Sequence, residues 1–515
     1  MLIQINMGKQ VEKIINRFDR LREDKRTKAS DEYSITKHFD TLRYKTKLVP
    51  QIKTEADETK AFDIKKFLYA PYASSNILFG LGIVDTVKIC LYLYDIDSGF
   101  SGGWTGGSYL KYASSGRDED VLFYYKDYMY VWGDDQLVRL DVTNSTNDFA
   151  LYKSITFTTV VQPVHHSSDD IAYFFADNDI HKLNGVTWTD NALVLPTNIR
   201  ITCATEYGNY LAIGGVENAT GSNPRSIVFL WDRDSSLTTL TERLDFGQGK
   251  LVHLAVLNNK LIGVMDIFAS SSLGRDRGKI VIKQASGQFG ITINEILTDD
   301  LSAGSGGVLP KGNFIADEKL YFPCNAKLNG DPRGGVWVVD SNGRMSLELV
   351  EFDALQNVGA ITERSDIQSV YAVGNTWWFA HSSDGSVSRT SDQNDFDTTN
   401  ASIYETLILR GDDSGQTKKL IGVEVMTEKL PTAGQIVLKY RKDENLSLGN
   451  NAVPAWTTIF TEATDDSISH GAVNIESTGA TLPQYKELQF RVESTGGAVI
   501  TGIRYKYEII DKQIF

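Results

Sequence analysis

The sequence has few cysteines, and their arrangement argues against two classes of protein. Cys90, Cys203 and Cys324 are isolated in a chain of 515 residues, and none belongs to a C-x-x-C pair. An odd number of isolated cysteines does not fit a disulfide-stapled secreted domain or a cysteine-based zinc site. We therefore expect buried free thiols within strands, in a chain made in a reducing cytoplasm.

Long apolar runs are also missing. No stretch approaches the roughly 18 apolar residues of a membrane span, and the first residues lack the basic start and apolar core of a secretory signal. The chain contains 43 glycines against 11 prolines, together with 23 tyrosines and 23 phenylalanines. This composition favours a turn-dense, all-β protein without a membrane span.

Familiar catalytic and metal-binding motifs are absent from the sequence. It contains no Walker A loop, no G-x-S-x-G elbow and no H-E-x-x-H pair. His165 and His166 are adjacent, but neighbours in a strand point to opposite faces and cannot readily share one metal ion. Asp95–Gly99 and Asp177–Asp179 offer oxygen ligands without the rest of an EF-hand loop. We predict no catalytic residue, no cofactor and no metal site, and therefore a protein that is not an enzyme.

Positive charge is in deficit, since 52 Lys and Arg stand against 66 Asp and Glu for a net charge of −14. A free-standing nucleic-acid binder would present a basic face instead. The deficit is uneven, because residues 1–60 hold 14 basic and 10 acidic side chains. An acidic body repels DNA phosphates, so we expect no specific DNA binding.

A repeated pattern of short strands occupies the middle of the chain. Residues 199–246 fit four strands, with Gly208-Asn209 as the turn between the first two, and such a unit has the size of one β-propeller blade. A polar turn residue followed by an apolar strand recurs 39 to 59 residues apart, at Asn76, Asp127, Asp170, Asn209, Asn259, Glu318 and Asn375. These copies predict a β-propeller of about seven blades over residues 61–408. A stack of two-sheet sandwiches is the alternative.

The two ends of the chain depart from this repeat. Polar sequence over the rest of residues 1–60 predicts an extended arm, and regular alternation over residues 409–515 predicts a jelly-roll-like β-sandwich. Apolar residues at helical spacing predict a short amphipathic helix over residues 8–26, namely Val11, Ile14, Ile15, Phe18 and Leu21.

Short motifs at both ends resemble those of virion structural proteins of tailed bacteriophages. The arm contains Lys37–Asp40, Leu48–Pro50 and Thr54–Asp57, and the last domain contains Lys419–Val423 and Ile500–Ile503. The degenerate propeller between them adds to the resemblance. Tail nozzle, hub and head–tail connector-region components of this kind join a propeller to a C-terminal β-sandwich.

The resemblance implies a structural subunit of the virion tail, assembled in the host cytoplasm. Copies would form a ring around the DNA channel, contact other tail or connector proteins, and let DNA pass without specific binding. The arm and the sandwich would make the subunit contacts, which we expect at Phe18, Leu21, His38, Phe39 and Leu48. The alternative is a glycan-binding or glycan-cleaving protein, because propeller and sandwich also occur together in carbohydrate-active proteins.

Overall fold

The computed structural model describes an all-β protein, since every regular element among its described residues is a strand. The described residues are 10–15, 20–21, 32–37, 47–49, 54–59, 63–72, 75–84, 88–95, 109–113, 121–133, 135–143, 149–217, 224–234, 242–268, 278–298, 308, 312–324, 327–328, 331–332, 335–349, 351–352, 363–364, 367–374, 376–381, 386–390, 401–406, 409, 416–442, 456–463, 468–472 and 483–510.

The helix predicted over residues 8–26 is wrong where the structure describes this segment. Gln10–Ile15 is a strand that pairs antiparallel with Ile503–Glu508. Ile15 is 1% exposed and its neighbour Ile14 is 43% exposed, which is the alternation of a strand. Val and Ile also suit strands, so pairing with the C-terminal strand overrides the helical spacing.

The chain divides into two compact units. The larger unit consists of residues 54–343 and 351–391, and the smaller unit of residues 1–53, 344–350 and 392–515. This division differs from the expected boundaries at residues 60 and 408. Thr54–Thr59 lies in the larger unit, and Ser402–Thr406 lies in the smaller one.

The larger unit is built from antiparallel meanders that follow one another along the chain, which is β-propeller architecture. The first meander comprises Asp63–Tyr72, Ser75–Val84, Lys88–Asp95 and Tyr109–Ala113, the second Val121–Tyr125, Tyr128–Gly133, Gln136–Asp141 and Ala150–Ser154, and the third Val160–His166, Ile171–Ala176, Asp179–Asn184 and Thr187–Val194. The fourth comprises Ile199–Tyr207, Tyr210–Glu217, Arg225–Trp231 and Glu242–Gln248, and the fifth Lys250–Leu257, Lys260–Ile267, Gly278–Ser286 and Phe289–Thr298. The sixth includes Phe314–Ala316, Lys319–Cys324 and Gly335–Asp340, and the seventh includes Ile367–Val373, Thr376–His381 and Ser386–Thr390. Short ladders pair Lys327–Leu328 with Asp331–Pro332 and Glu351–Phe352 with Glu363–Arg364.

A two-residue turn joins the first and second strands in several meanders. Its first residue has a positive φ at Lys126 (51°), Gly208 (58°), Asn258 (47°), Asp317 (48°) and Gly374 (59°). Each of these residues is followed directly by one of the turn markers predicted from the sequence. Left-handed residues in a two-residue turn match the twist of the strands that they connect, so the recurring marker has a conformational origin.

Consecutive meanders bury their faces against each other. Trp132 of the second meander stacks on Phe174 of the third with ring centroids 4.8 Å apart. Tyr173 of the third meander meets Trp231 of the fourth edge to face at 5.7 Å. Aromatic pairs of this kind add to the burial of apolar area, so each meander completes the core of its neighbour.

The last meander is completed by a strand from the beginning of the unit. Thr54–Thr59 pairs antiparallel with Ser386–Thr390 and becomes its fourth strand. Trp378 of the last meander also packs in one core cluster with Phe67 and Leu78 of the first. The first and last meanders are thus joined both by backbone pairing and by side-chain packing.

The smaller unit contains two sheets. One sheet comprises Gln10–Ile15, Ile500–Ile509, Lys418–Thr427, Ser469–Ala472 and Gln484–Tyr485, and the other comprises Arg20–Leu21, Glu32–Lys37, Ser402–Thr406, Leu488–Thr495, Gln435–Lys442 and Thr457–Glu462. Met345–Leu349 also belongs to this unit. Phe490 of the second sheet contacts Tyr505 of the first with ring centroids 5.5 Å apart. The unit therefore includes Glu32–Lys37, a strand within the segment that the sequence predicts to be an extended arm.

Gly214 tests how tightly adjacent meanders pack. A β-carbon at this position would lie 2.5 Å from Cys203 Sγ and 2.8 Å from Leu251 Cδ2 of the next meander. We expect Gly214→Ala to lower the free energy of unfolding by about 1–3 kcal/mol, measured by urea denaturation, because overpacking forces neighbours apart. Combined with Cys203→Ala, it should cost less than the two single changes added together.

Gly287→Ala is the matched control for this cycle. Gly287 has a φ of +56°, and a β-carbon at this position would meet nothing within 4 Å, so only backbone strain opposes alanine there. Its effect should add to that of Cys203→Ala without coupling. Strict additivity of Gly214→Ala and Cys203→Ala would contradict the close contact.

Candidate functional site

The first strands of the meanders lie beside one another and partly enclose a cavity. The cavity has a volume of about 250 Å³, and its walls come from the first strands of the first, third, fourth and fifth meanders, with Asn313 from the segment before the sixth. All of these residues belong to the larger unit. The arrangement of first strands thus brings together side chains that are far apart in the sequence.

Three cations contribute to the walls of this cavity. They are Lys66, Arg200 and Lys250, each from a different first strand. The described residues that line the cavity include no Asp and no Glu. A protein of net charge −14 therefore has a cationic interior site.

Lys66 is the most deeply buried of the three cations. It is 7% exposed, and burial lowers its pKa from 10.5 to about 8. No carboxylate among the described residues forms an ion pair with its ammonium group. Transferring an ammonium ion out of water is costly unless a negative charge compensates for it, so Lys66 sits at an electrostatic cost.

The other two cations each have a carboxylate behind them. Arg200 Nη2 lies 3.9 Å from Asp177 Oδ1, at the edge of ion-pair distance. Asp177 is already occupied, since its oxygens accept hydrogen bonds from the backbone and hydroxyl groups of Thr158 and Thr159. Arg200 is therefore only weakly neutralised. The sequence offers the Asp177 carboxylate as a possible calcium ligand, but in the structure its oxygens accept the hydrogen bonds of Thr158 and Thr159.

Lys250 is paired in register with Asp266 on the neighbouring strand. Asp266 is fully buried, and neither carboxylate oxygen has a hydrogen-bond partner of normal geometry among the described residues. Burial raises the pKa of Asp266 to about 7, while the charge of Lys250 and a weak backbone contact with Val308 oppose the increase. Asp266 does not line the cavity, and its charge acts on Lys250 from the neighbouring strand.

Three neutral side chains of the wall, those of Thr159, Gln162 and Thr202, donate structural hydrogen bonds. Thr202 donates its hydroxyl to the carbonyl of Leu251 at 2.6 Å, and Gln162 Nε2 donates to the carbonyl of Leu122 at 3.0 Å. Cys203 is buried, and burial raises the pKa of its thiol to about 12. A thiol held protonated is a poor nucleophile. The wall therefore favours binding of an anion over covalent chemistry or paired-carboxylate hydrolysis.

A second polar cluster lies at the turns of the third and fourth meanders. Arg233 Nη1 donates to Asp169 Oδ2 at 2.6 Å and lies 3.0 Å from Nδ1 of the fully buried His166. Ser168 Oγ contacts the same imidazole nitrogen at 3.1 Å. A nucleophile and an orienting acid would need opposite nitrogens of the ring, so this cluster does not form a catalytic triad. It ties the two turns together.

The adjacent histidines lie on opposite sides of their strand, as the alternation predicts. His165 contacts Asp170 at 2.9 Å and has an exposed side chain, whereas His166 is completely buried. Within the described part of the chain, no group of three or more His, Cys, Asp or Glu could hold a metal ion. No helix in that part is long and apolar enough to cross a membrane.

The residues predicted as subunit contacts are only partly described. Phe18, His38 and Phe39 lie outside the described residues, and Leu21 is described only as part of a short strand. Leu48 is fully buried and forms a β-bridge with Ile500 of the same unit. Its packing is therefore within the chain.

Comparisons with known proteins give no family. No family model matches the chain, and no curated protein matches it. Among solved structures, the N-terminal domain of Nup159 is 12% identical with a TM-score of 0.36, over 66% of this chain and 97% of its own. BamB from Moraxella catarrhalis is 13% identical with a TM-score of 0.36, over 67% and 98%.

An exo-β-1,3-galactanase from Phanerochaete chrysosporium, solved with galactose, is also similar in structure. It is 9% identical with a TM-score of 0.31, over 88% of this chain and 100% of its own. At such identities and TM-scores, none of these similarities supports an argument about function.

The cationic cavity was not predicted from the sequence. Its one local signal is a basic residue flanked by apolar residues at the start of a first strand, as at Arg200 between Ile199 and Ile201. Such residues usually face solvent, and only the placement of the first strands beside one another turns them inward.

Asp266 makes the stability of the larger unit depend on pH. Its carboxyl ionises near pH 3.8 in the unfolded chain and near pH 7 in the folded one, so the folded state loses stability as pH rises through this window. We expect Asp266→Asn to be more stable than the wild type by about 2–4 kcal/mol at pH 8. The gain should shrink toward pH 4, as measured by urea denaturation at both pH values.

Asp245→Asn provides a control of opposite sign. Arg225 donates hydrogen bonds to Asp245 and lowers the pKa of that carboxyl, so ionised Asp245 favours the folded state. This variant should lose stability above pH 4 relative to the wild type. A pH-independent effect of Asp266→Asn would show that burial does not raise the pKa of Asp266 in the folded chain.

Proposed function

We propose that the chain is a structural subunit of a tailed-bacteriophage virion, which assembles into an oligomeric ring around the DNA channel of the tail. The propeller would be seven-bladed, and the smaller unit would be a β-sandwich. Copies of the chain and other tail or connector proteins would be its partners. DNA would pass through the ring without specific binding, helped by the net charge of −14.

The strand topology supports the seven-bladed interpretation. Meanders succeed one another from Asp63–Tyr72 to Ser386–Thr390, and the last one packs against the first. Because Thr54–Thr59 pairs with Ser386–Thr390, the beginning and the end of the series of meanders are joined to each other. The contact between Phe490 and Tyr505 across two sheets supports the sandwich in the same way.

Exposed apolar side chains on outer strands are the observation that favours assembly. Leu151, Val194, Phe289 and Ile291 are 56%, 51%, 61% and 52% exposed, and each lies on the last strand of its meander. Large exposed apolar side chains of this kind are typical of surfaces that other chains cover. A glycan site would instead present carboxylates and aromatic side chains around a pocket.

The test is whether the purified chain forms rings. We expect a mass larger than one 57.2 kDa chain in light scattering after gel filtration, and closed rings in negative-stain images. Antibody against the chain should label the tail of intact phage particles. A chain that stays monomeric at all concentrations and cleaves glycans would favour the carbohydrate-active alternative.

Phe289 and Ile291 provide a sharper version of this test. We expect the double change Phe289→Ser and Ile291→Ser to shift the sedimentation-equilibrium mass toward the monomer, while the unfolding midpoint stays nearly unchanged because both side chains are exposed. Val186→Ser removes a similarly exposed apolar side chain from a turn and should leave the mass unchanged. Wild-type assembly by the double variant would contradict the role of this strand.

Removing residues 1–60 is not a clean test of assembly. Gln10–Ile15 and Glu32–Lys37 are strands of the smaller unit, and Thr54–Thr59 completes the last meander of the larger one. The truncated chain would lose strand pairing in both units, so a loss of assembly could result from unfolding. Point changes on exposed strands avoid this problem.

A further inference from the structure

We propose that the cavity between the first strands binds a small phosphate-bearing molecule, with Lys66, Arg200 and Lys250 contacting its phosphate oxygens. This inference does not depend on the proposed role in a virion. The cavity belongs to the larger unit alone and would be present in a single chain.

The cost of burying Lys66 is the first argument. Lys66 is 7% exposed, and its ammonium group has no ion-pair partner among the described residues, so an anion that entered the cavity would stabilise it. A methionine of similar length would fill the same space without an electrostatic cost. A cation at this position therefore indicates a binding requirement more than a packing requirement.

The composition of the wall is the second argument. Arg200 and Lys250 bring two further positive charges, and the carboxylates associated with them, Asp177 and Asp266, do not line the cavity. An anion in the cavity would face three cations and no carboxylate of the described wall. Guanidinium and ammonium groups together are the usual donors to phosphate oxygens.

The size of the cavity is the third argument. Its volume of about 250 Å³ is several times the roughly 30 Å³ that one water occupies in the liquid, so it has room for more than a free phosphate ion. Apolar wall residues such as Val160, Val252 and Leu254 can cover the uncharged part of a ligand. A phosphate monoester of a small molecule uses both features.

Calorimetric titration of the full chain tests this proposal. Inorganic phosphate and glycerol phosphate are the probes, and sodium chloride at matched ionic strength is the blank. We expect saturable binding of both probes in the millimolar range or tighter, with glycerol phosphate binding several-fold more tightly because it fills more of the cavity. Tighter binding of inorganic phosphate would support the anion site but overturn the ester as its ligand.

Variants locate the binding in the cavity. Lys66→Met should weaken binding of both probes at least tenfold, and Arg200→Met should do the same. Lys153→Met is the control, since it removes the same charge from the last strand of the second meander, where the half-buried Lys153 pairs with Asp190 of the third meander. It should leave the affinity within twofold of the wild type.

Two results would overturn the proposal. One is the absence of saturable heat with either probe at concentrations up to about 10-fold above 1 mM. The other is equal affinity for the probes in the wild type, Lys66→Met and Arg200→Met. Thermal unfolding of each variant without ligand shows whether it is folded. If Lys66→Met fails to fold, the comparison of Arg200→Met with Lys153→Met decides the question.

Discussion

Pairing of Thr54–Thr59 with Ser386–Thr390 is the constraint on which the larger unit depends. A four-stranded meander has two apolar faces and cannot bury both alone, so a series of meanders is stable only if its first and last members also find partners. Here the backbone ladder and the packing of Trp378 against Phe67 satisfy that need together. A contact across more than 300 residues of sequence holds the first strands in place, and with them the cavity that they line.

Local sequence carried enough information for the repeat but not for its closure. Turn markers such as Asn209 and Asn259 were predictable because a left-handed residue beside them fixes a hairpin of two residues. Thr54–Thr59 was not, because its sequence is polar and its partner lies at the other end of the unit. The helix predicted around Val11–Ile15 failed for a related reason, since pairing with Ile503–Tyr507 is a distant interaction that no local period reveals.

The candidate site was beyond the sequence for a different physical reason. Lys66, Arg200 and Lys250 belong to strands of three different meanders, and these strands line one cavity only after the meanders have packed. Each residue alone would be interpreted as a solvated surface charge. Burial lowers the pKa of Lys66, and it raises the pKa of Asp266, which is paired with Lys250. Convergence in space, and not a motif, defines the site.

The chain is negatively charged overall, whereas the cavity wall carries three cations, and this difference affects how an anion would bind. The chain carries a net charge of −14, so its long-range field repels an anion, and attraction to three cations takes over only at short distance. Binding would then depend on desolvated contacts within the cavity more than on electrostatic steering. A bound anion would also offset the burial cost of Lys66 and so stabilise the first strands against one another. Ligand and propeller closure would act on the same set of strands, which couples the occupancy of the cavity to the rigidity of the unit.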